Sequence, residues 1–240
     1  MSPTATVESE VRDRLALALD VDDLVAARRL ARDLQPWFGV AKVGLELYTA
    51  AGPDAVGALA DLGYRVFLDL KMHDIPTTVG RASRVVGAYG VSFLTLHASG
   101  GRAMLRAGVE GLAEGAAAAG LAAPVALAVT VLTSDPDAPP HILPTRVRSA
   151  LDGGGQGLVC GAPDVREARQ LAPRITIVVP GTRPEGASRN DQARTGTPAD
   201  ALAAGADLLV IGRAVTGADD PPAAAAAIAA DLATIPGKGG

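Results

Sequence analysis

The chain has 240 residues, 48% hydrophobic and 20% charged, which supplies one large buried core and excludes a disordered chain. Aromatic residues are only 3%, so the core must be built from Val, Leu, Ile and Ala, and the stacking platforms of a single-stranded nucleic-acid binder are excluded. A net charge of −4 with scattered Lys and Arg leaves no electrostatic footprint for nucleic acid or an anionic membrane, and one Cys and three His without ligand spacing give neither a disulfide nor a metal motif.

Residues 1–13 form a polar, acidic segment without the basic start and apolar run of an export signal. With the lone Cys160, this predicts a cytoplasmic protein. From residue 14 onward, near-continuous apolar runs bounded by turn signals recur in series. They are RLALALD (14–20), VAKVG (40–44), YRVFLDLK (64–71), VSFLTLHA (91–98), PVALAVTVL (124–132), GLVCGA (157–162), ITIVVPG (175–181) and ADLLVIGR (206–213). Such runs are the pattern of strands covered on both faces.

Helical periodicity fills the intervals. Over residues 22–34, Leu24, Ala27, Leu30, Ala31 and Leu34 share a stripe, Arg28, Arg29 and Arg32 lie outside it, and Asp22 or Asp23 is the cap. PADALAAGA (198–206) places Pro in a first turn and Gly205 near a stop. Residues 115–134 carry no charge, yet their Ala and Gly content and Pro124 predict a helix end, a loop and a buried strand rather than a membrane span. The Gly153 to Gly155 cluster lacks a following Gly-Lys-Ser/Thr and reads as a plain turn.

Strand and helix alternate eight times, which predicts an α/β fold, a single (β/α)8 TIM barrel over residues 14–235 with a tail at 236–240. An open doubly wound sheet is the alternative, but eight units in so short a chain favour closure. Catalytic groups of such a barrel sit at the C-terminal ends of the strands. There the chain carries Asp20, Lys42, Asp69, Lys71, His97, Thr130 or Thr133, Arg183 and Arg213.

Asp69 and Lys71 are two apart, so in an extended strand they point to one face, into the barrel mouth. Lys42 comes alongside from the second strand, and Asp74 lies beyond in a loop fixed by Pro76. The bland alternative is a structural ion-pair network. Against it stands a phosphate-type site at the end of the barrel. Gly212 admits a close backbone N–H and Arg213 offers a bidentate fork, while Gly181, Pro184 and Gly186 shape a loop bearing Arg183.

DLKMHDIPTT (69–78) resembles the D-x-K-x-x-D-I-P-x-T signature of the orotidine 5'-phosphate decarboxylase family. The resemblance runs in order through LALD, AKVG, TLHA, VTVLTS (129–134), VCGA, PGTRPEG (180–186) and DQARTGTPADALAAGADLLVIGRAVT (191–216). It implies decarboxylation of orotidine 5'-phosphate to UMP without a cofactor or metal, on a homodimer with shared active sites. Lys71 would protonate the ring carbon, Asp69 would face the substrate carboxylate, and Lys42 would hold Asp69 and the ribose. Asp74 and Thr78 would come from the partner subunit, and Asp20 would bind ribose hydroxyls. Thr133 would sit near the pyrimidine, with Arg183, Gln192, Gly212 and Arg213 at the phosphate. The chain departs from the family at Thr182, where an apolar residue is frequent, and at Gly161, where Ser is frequent.

Two other readings stand beside this one. A metal-dependent sugar-phosphate decarboxylase of a related barrel shares D-x-K-x-x-D but carries a Glu ligand where this chain has Lys42. A noncatalytic phosphosugar-binding barrel would have no use for Lys71 and Asp69. His97 is expected to support the mouth by hydrogen bonding, His73 to point away from the ligand, His141 to be exposed, and Cys160 to be a small core residue.

Overall fold

A computed structural model describes residues 9–135, 137–182 and 196–235. Eight parallel strands, β1 (Leu15–Leu19), β2 (Val40–Val43), β3 (Arg65–Met72), β4 (Phe93–His97), β5 (Val125–Val129), β6 (Gly157–Val159), β7 (Thr176–Pro180) and β8 (Leu208–Ile211), close into a barrel in sequence order. Closure is direct, since β1 pairs with both β2 and β8. The expected TIM barrel is therefore the fold, and the open sheet is excluded. Strand β5 is shorter than the apolar run that announced it, because the backbone leaves the ladder after Val129.

The period-2 rule explains how one strand serves two cores. In β1 the small Ala16 and Ala18 face the barrel interior, while Leu15, Leu17 and Leu19 face the surrounding helices. The interior is filled from across by Phe67 and Phe93, whose rings meet edge-on with centroids 5.8 Å apart. Small residues on one wall thus make room for large ones on another, as layered barrel packing requires.

The helices are α1 (Leu24–Leu34), α2 (Leu45–Ala51), α3 (Asp54–Ala60), α4 (Pro76–Gly87), α5 (Gly101–Ala118), α6 (Ile142–Asp152), α7 (Val165–Leu171), α8 (Pro198–Ala204), α9 (Arg213–Thr216) and α10 (Pro221–Ala233). Of the two cap candidates for α1, Asp23 serves, accepting from the N–H groups of Val25 and Ala26 at 3.2 and 2.9 Å. Ala27, Ala31 and Leu34 of its stripe are buried. Helix α8 starts at Pro198 under a Thr197 cap and stops at Gly205, whose φ of 114° is left-handed. The uncharged stretch near residue 124 divides as expected into the end of α5, a loop and β5, and no helix among the described residues is long and apolar enough to cross a membrane.

Barrel packing begins earlier than residue 14. Val11 is buried, and the Arg12 carbonyl accepts from Gly39 at 2.8 Å, because the turn into β1 is tied to the turn into β2. Residues 1–8 and 236–240 lie outside the described residues.

Candidate active site

A cavity of about 500 Å³ opens at the C-terminal ends of the strands. Its floor is apolar, made of the interior residues Ala18, Phe67, Val129, Val159 and Val210. Above the floor, Asp20, Lys42, Asp69 and Lys71 line the cavity from β1, β2 and β3, and Gly212, Arg213 and residues 180–182 line it from the ends of β8 and β7. The apolar floor lowers the local dielectric, so the charges above it interact more strongly than they would in water.

The charges alternate. Lys71 Nζ donates to Asp69 Oδ2 at 2.7 Å, and Lys42 Nζ lies 3.8 Å from the same oxygen. Lys42 also donates to Asp20 Oδ1 at 3.0 Å. Lys42 and Asp69 are almost fully buried, whereas Asp20 is exposed. A charge buried this deeply is tolerated only when paired, and each of the two ammonium groups has a carboxylate here. Gly44 completes the wall by lacking a side chain: a Cβ there would stand 3.0 Å from Lys42 Nζ and 3.1 Å from Asp20 Oδ1, wedging into that pair.

The expectation that Asp69 and Lys71 share a face holds, but not by regular strand parity. Leu68 pairs with Leu94 and Met72 with Leu96, so β3 spends four residues where β4 spends two. Within this bulge Lys71 has a φ of 48°, the one left-handed non-glycine among the described residues. For a side chain bearing a Cβ this costs about 1 kcal/mol, and such positions concentrate at functional sites. The bulge turns the end of β3 into the mouth. Thr95 holds it from β4: its hydroxyl accepts from Lys71 N–H at 2.8 Å and donates to Asp69 Oδ1 at 2.9 Å.

Of the two threonines competing after β5, Thr130 is fully buried, and its hydroxyl donates to the Val159 carbonyl at 2.9 Å. Thr133 lines the cavity. The guanidinium of Arg146 on α6 donates to the Thr130 carbonyl and anchors the start of this loop. Arg213 opens the short helix α9 behind Gly212, so the strand ends two residues before the expected arginine. Arg183 and Gln192 lie outside the described residues. Thr182 is buried with no hydrogen-bond partner for its hydroxyl among the described residues, and Cys160 is a buried core residue.

Asp74 and Thr78 do not line the cavity of their own chain. Both are exposed, and Asp74 Oδ1 accepts from Ile75 N–H at 2.6 Å just ahead of α4, whose first residue is Pro76. His73 is also exposed, and its ring lies beside that of His97, centroids 5.5 Å apart. Burial, then His73, Lys71 and Arg146, hold His97 below the ordinary imidazole range, against an opposing pull from Asp69.

Sequence reading passed over Thr95 and Arg146. For Thr95 a signal existed: Phe93, Thr95 and His97 alternate inward on β4, so a hydroxyl stands at an interior position beside Asp69. Nothing in the sequence pairs Arg146 with a carbonyl 16 residues away.

The chain as a whole is similar to known proteins. A chain described as orotidine 5'-phosphate decarboxylase from Moorella thermoacetica is 45% identical over 95% of this chain and 96% of its own length. One of the same description from Anaeromyxobacter sp. (strain K) is 46% identical over 92% and 98%. Among solved structures, that of orotidine 5'-phosphate decarboxylase from Lactobacillus acidophilus superposes with a TM-score of 0.76 at 34% identity, covering 92% of this chain and 99% of that one. Residues 13–228 match the family described as orotidine 5'-phosphate decarboxylase / HUMPS, and the chain belongs to that family.

Proposed function

We propose that this chain decarboxylates orotidine 5'-phosphate to UMP and carbon dioxide, the last step of de novo pyrimidine nucleotide synthesis. The carrying observation is the Lys71–Asp69 pair at 2.7 Å, with Lys42 behind it, over an apolar cavity floor. The chain is a carboxy-lyase that works without a cofactor. The bond from the ring carbon to the carboxylate breaks, its electron pair stays on that carbon, and the Lys71 ammonium stabilises the charge and delivers the proton. Lys71 is then recharged from solvent.

Asp69 faces the departing carboxylate. Two like charges about 4 Å apart at an effective dielectric near 20 repel by about 4 kcal/mol. Enzymatic accelerations need roughly 8 to 23 kcal/mol, so that repulsion is not the whole account and stabilisation of the carbanion by preorganised charge must supply the rest. Asp20 and Lys42 bind the ribose, Thr133 meets the pyrimidine, and Arg183, Gln192, Gly212 and Arg213 hold the phosphate. Binding at that distant end supports the reaction at the ring. The working form is a cytoplasmic homodimer in which Asp74 and Thr78 reach the site of the partner subunit.

Lys42 argues against a metal-dependent sugar-phosphate reaction, since its ammonium and that of Lys71 stand where a divalent cation would need anionic ligands. Turnover that disappears on chelation and returns only with Mg²⁺ would favour that rival. The direct test incubates purified protein with orotidylate and follows UMP. Wild type is expected to turn over, and Lys71→Ala to lose at least about 10³-fold in kcat. Tight binding of orotidylate without UMP formation would reject the decarboxylase reading.

A further inference from the structure

A bulge that sets three residues against one leaves backbone groups without ladder partners, and something else must satisfy them. Residues 69–71 face only Thr95, which is fully buried on the neighbouring strand. The Lys71 N–H donates to the Thr95 hydroxyl oxygen at 2.8 Å. That hydroxyl lies 2.9 Å from Asp69 Oδ1, and since an ionised carboxylate only accepts, its proton goes to Asp69. The other Asp69 oxygen takes Lys71 Nζ at 2.7 Å. The chain of contacts therefore closes on itself: Lys71 backbone, Thr95 hydroxyl, Asp69 carboxylate, Lys71 ammonium.

From this closed ring we propose that Thr95 is a positioning residue for the decarboxylation, resting on the reading of Lys71 and Asp69 given above. Its hydroxyl holds Lys71 in the left-handed conformation that aims the ammonium at the cavity, and it leaves the Asp69 carboxylate one orientation. Thr95 does not line the cavity, so it acts only through these two neighbours. Without the hydroxyl, the Lys71 N–H loses its acceptor inside the barrel and Asp69 can turn about its side-chain torsion. Gly212 and Arg213, which follow β8, make no contact with the Thr95 hydroxyl and are untouched. Displacement of a reacting group by about 1 Å costs on the order of 100-fold in rate, and that loss belongs in kcat and not in ground-state binding.

The experiment compares wild type, Thr95→Val and Thr95→Ser by kcat and KM for orotidylate and by the dissociation constant of UMP. Thr95→Val keeps the shape and removes the hydroxyl, and Thr95→Ser keeps the hydroxyl. The expected result is a kcat lowered about 10- to 100-fold in Thr95→Val, with KM and UMP affinity within about threefold, and kcat restored to within about threefold in Thr95→Ser. Should Thr95→Val not fold, Thr95→Ala is read by the same criteria. A hydroxyl-free variant with wild-type kcat overturns the inference while the reaction stands. So does Thr95→Ser performing no better than Thr95→Val, or a loss of UMP affinity parallel to the loss of kcat, which marks a structural role. Wild type without turnover overturns the decarboxylase reading and the inference with it.

Discussion

Burial and its cationic neighbours disfavour a proton on His97, so the ring is neutral at pH 7 and its folded pKa lies below the ordinary 6.5. Above pH 6.5 the folded and unfolded states both leave it neutral, and it has no effect on stability. As pH falls below 6.5 the unfolded state takes up a proton that the folded state refuses. Stability is then lost, by at most about 1.4 kcal/mol per pH unit for one group, until the folded pKa is reached. Thermal or urea unfolding of wild type and His97→Gln at pH 7.5 and pH 5.5 measures this. Wild type should lose more stability across that interval than the variant. Equal losses would show that the pH dependence lies in other groups and that the histidine is not held neutral by its surroundings.

Helices α4 and α5 touch backbone to backbone, and glycines make that possible. A Cβ on Gly115 would stand 1.9 Å from the Arg84 carbonyl oxygen, one on Gly111 2.1 Å from that of Gly80, and one on Gly87 2.2 Å from that of Leu112. No side-chain rotation relieves a clash with backbone, so the helices must separate. Gly115→Ala is therefore expected to destabilise by about 2 kcal/mol or more despite its better helix propensity, read as a lowered urea midpoint. A variant as stable as wild type would mean that the helices part at no cost. These glycines also show what the sequence made legible. The eight apolar runs gave all eight strands, because a strand buried on both faces leaves a continuous hydrophobic record. The glycines of α5 left none, since close helix approach depends on which residues, far apart in the chain, face each other across the two helices. The bulge at Lys71 was likewise invisible: alternation of 69 and 71 suggested a shared face, but the actual cause is a left-handed residue clamped by Thr95. The charged group itself was readable, since Asp20, Lys42, Asp69 and Lys71 each stand at or near the C-terminal end of an apolar run. The positions of Arg183 and Gln192 are not among the described residues.

At the scale of the whole molecule, the family signature is split. Asp69 and Lys71 line the cavity, but Asp74 and Thr78, from the same ten-residue stretch, face outward at the start of α4 beside Ile75, which is 65% exposed. An acidic and a hydroxyl side chain flanking an exposed aliphatic residue suit a surface that completes a second copy's site, as the proposed homodimer requires. The consequence is a complementation that a self-contained monomer could not produce. Lys71→Ala retains Asp74, and Asp74→Ala retains Lys71, so each homodimer has two defective sites. A mixed dimer has one site with both substitutions and one with neither. Equal mixing with free exchange makes half the dimers mixed, and with one of two sites intact in each, about a quarter of wild-type activity should return. Subunit exchange is followed by mass spectrometry and UMP formation by absorbance, on the same sample. Exchange that reaches completion without recovered activity would place Asp74 and Lys71 in one chain's site and overturn the shared site.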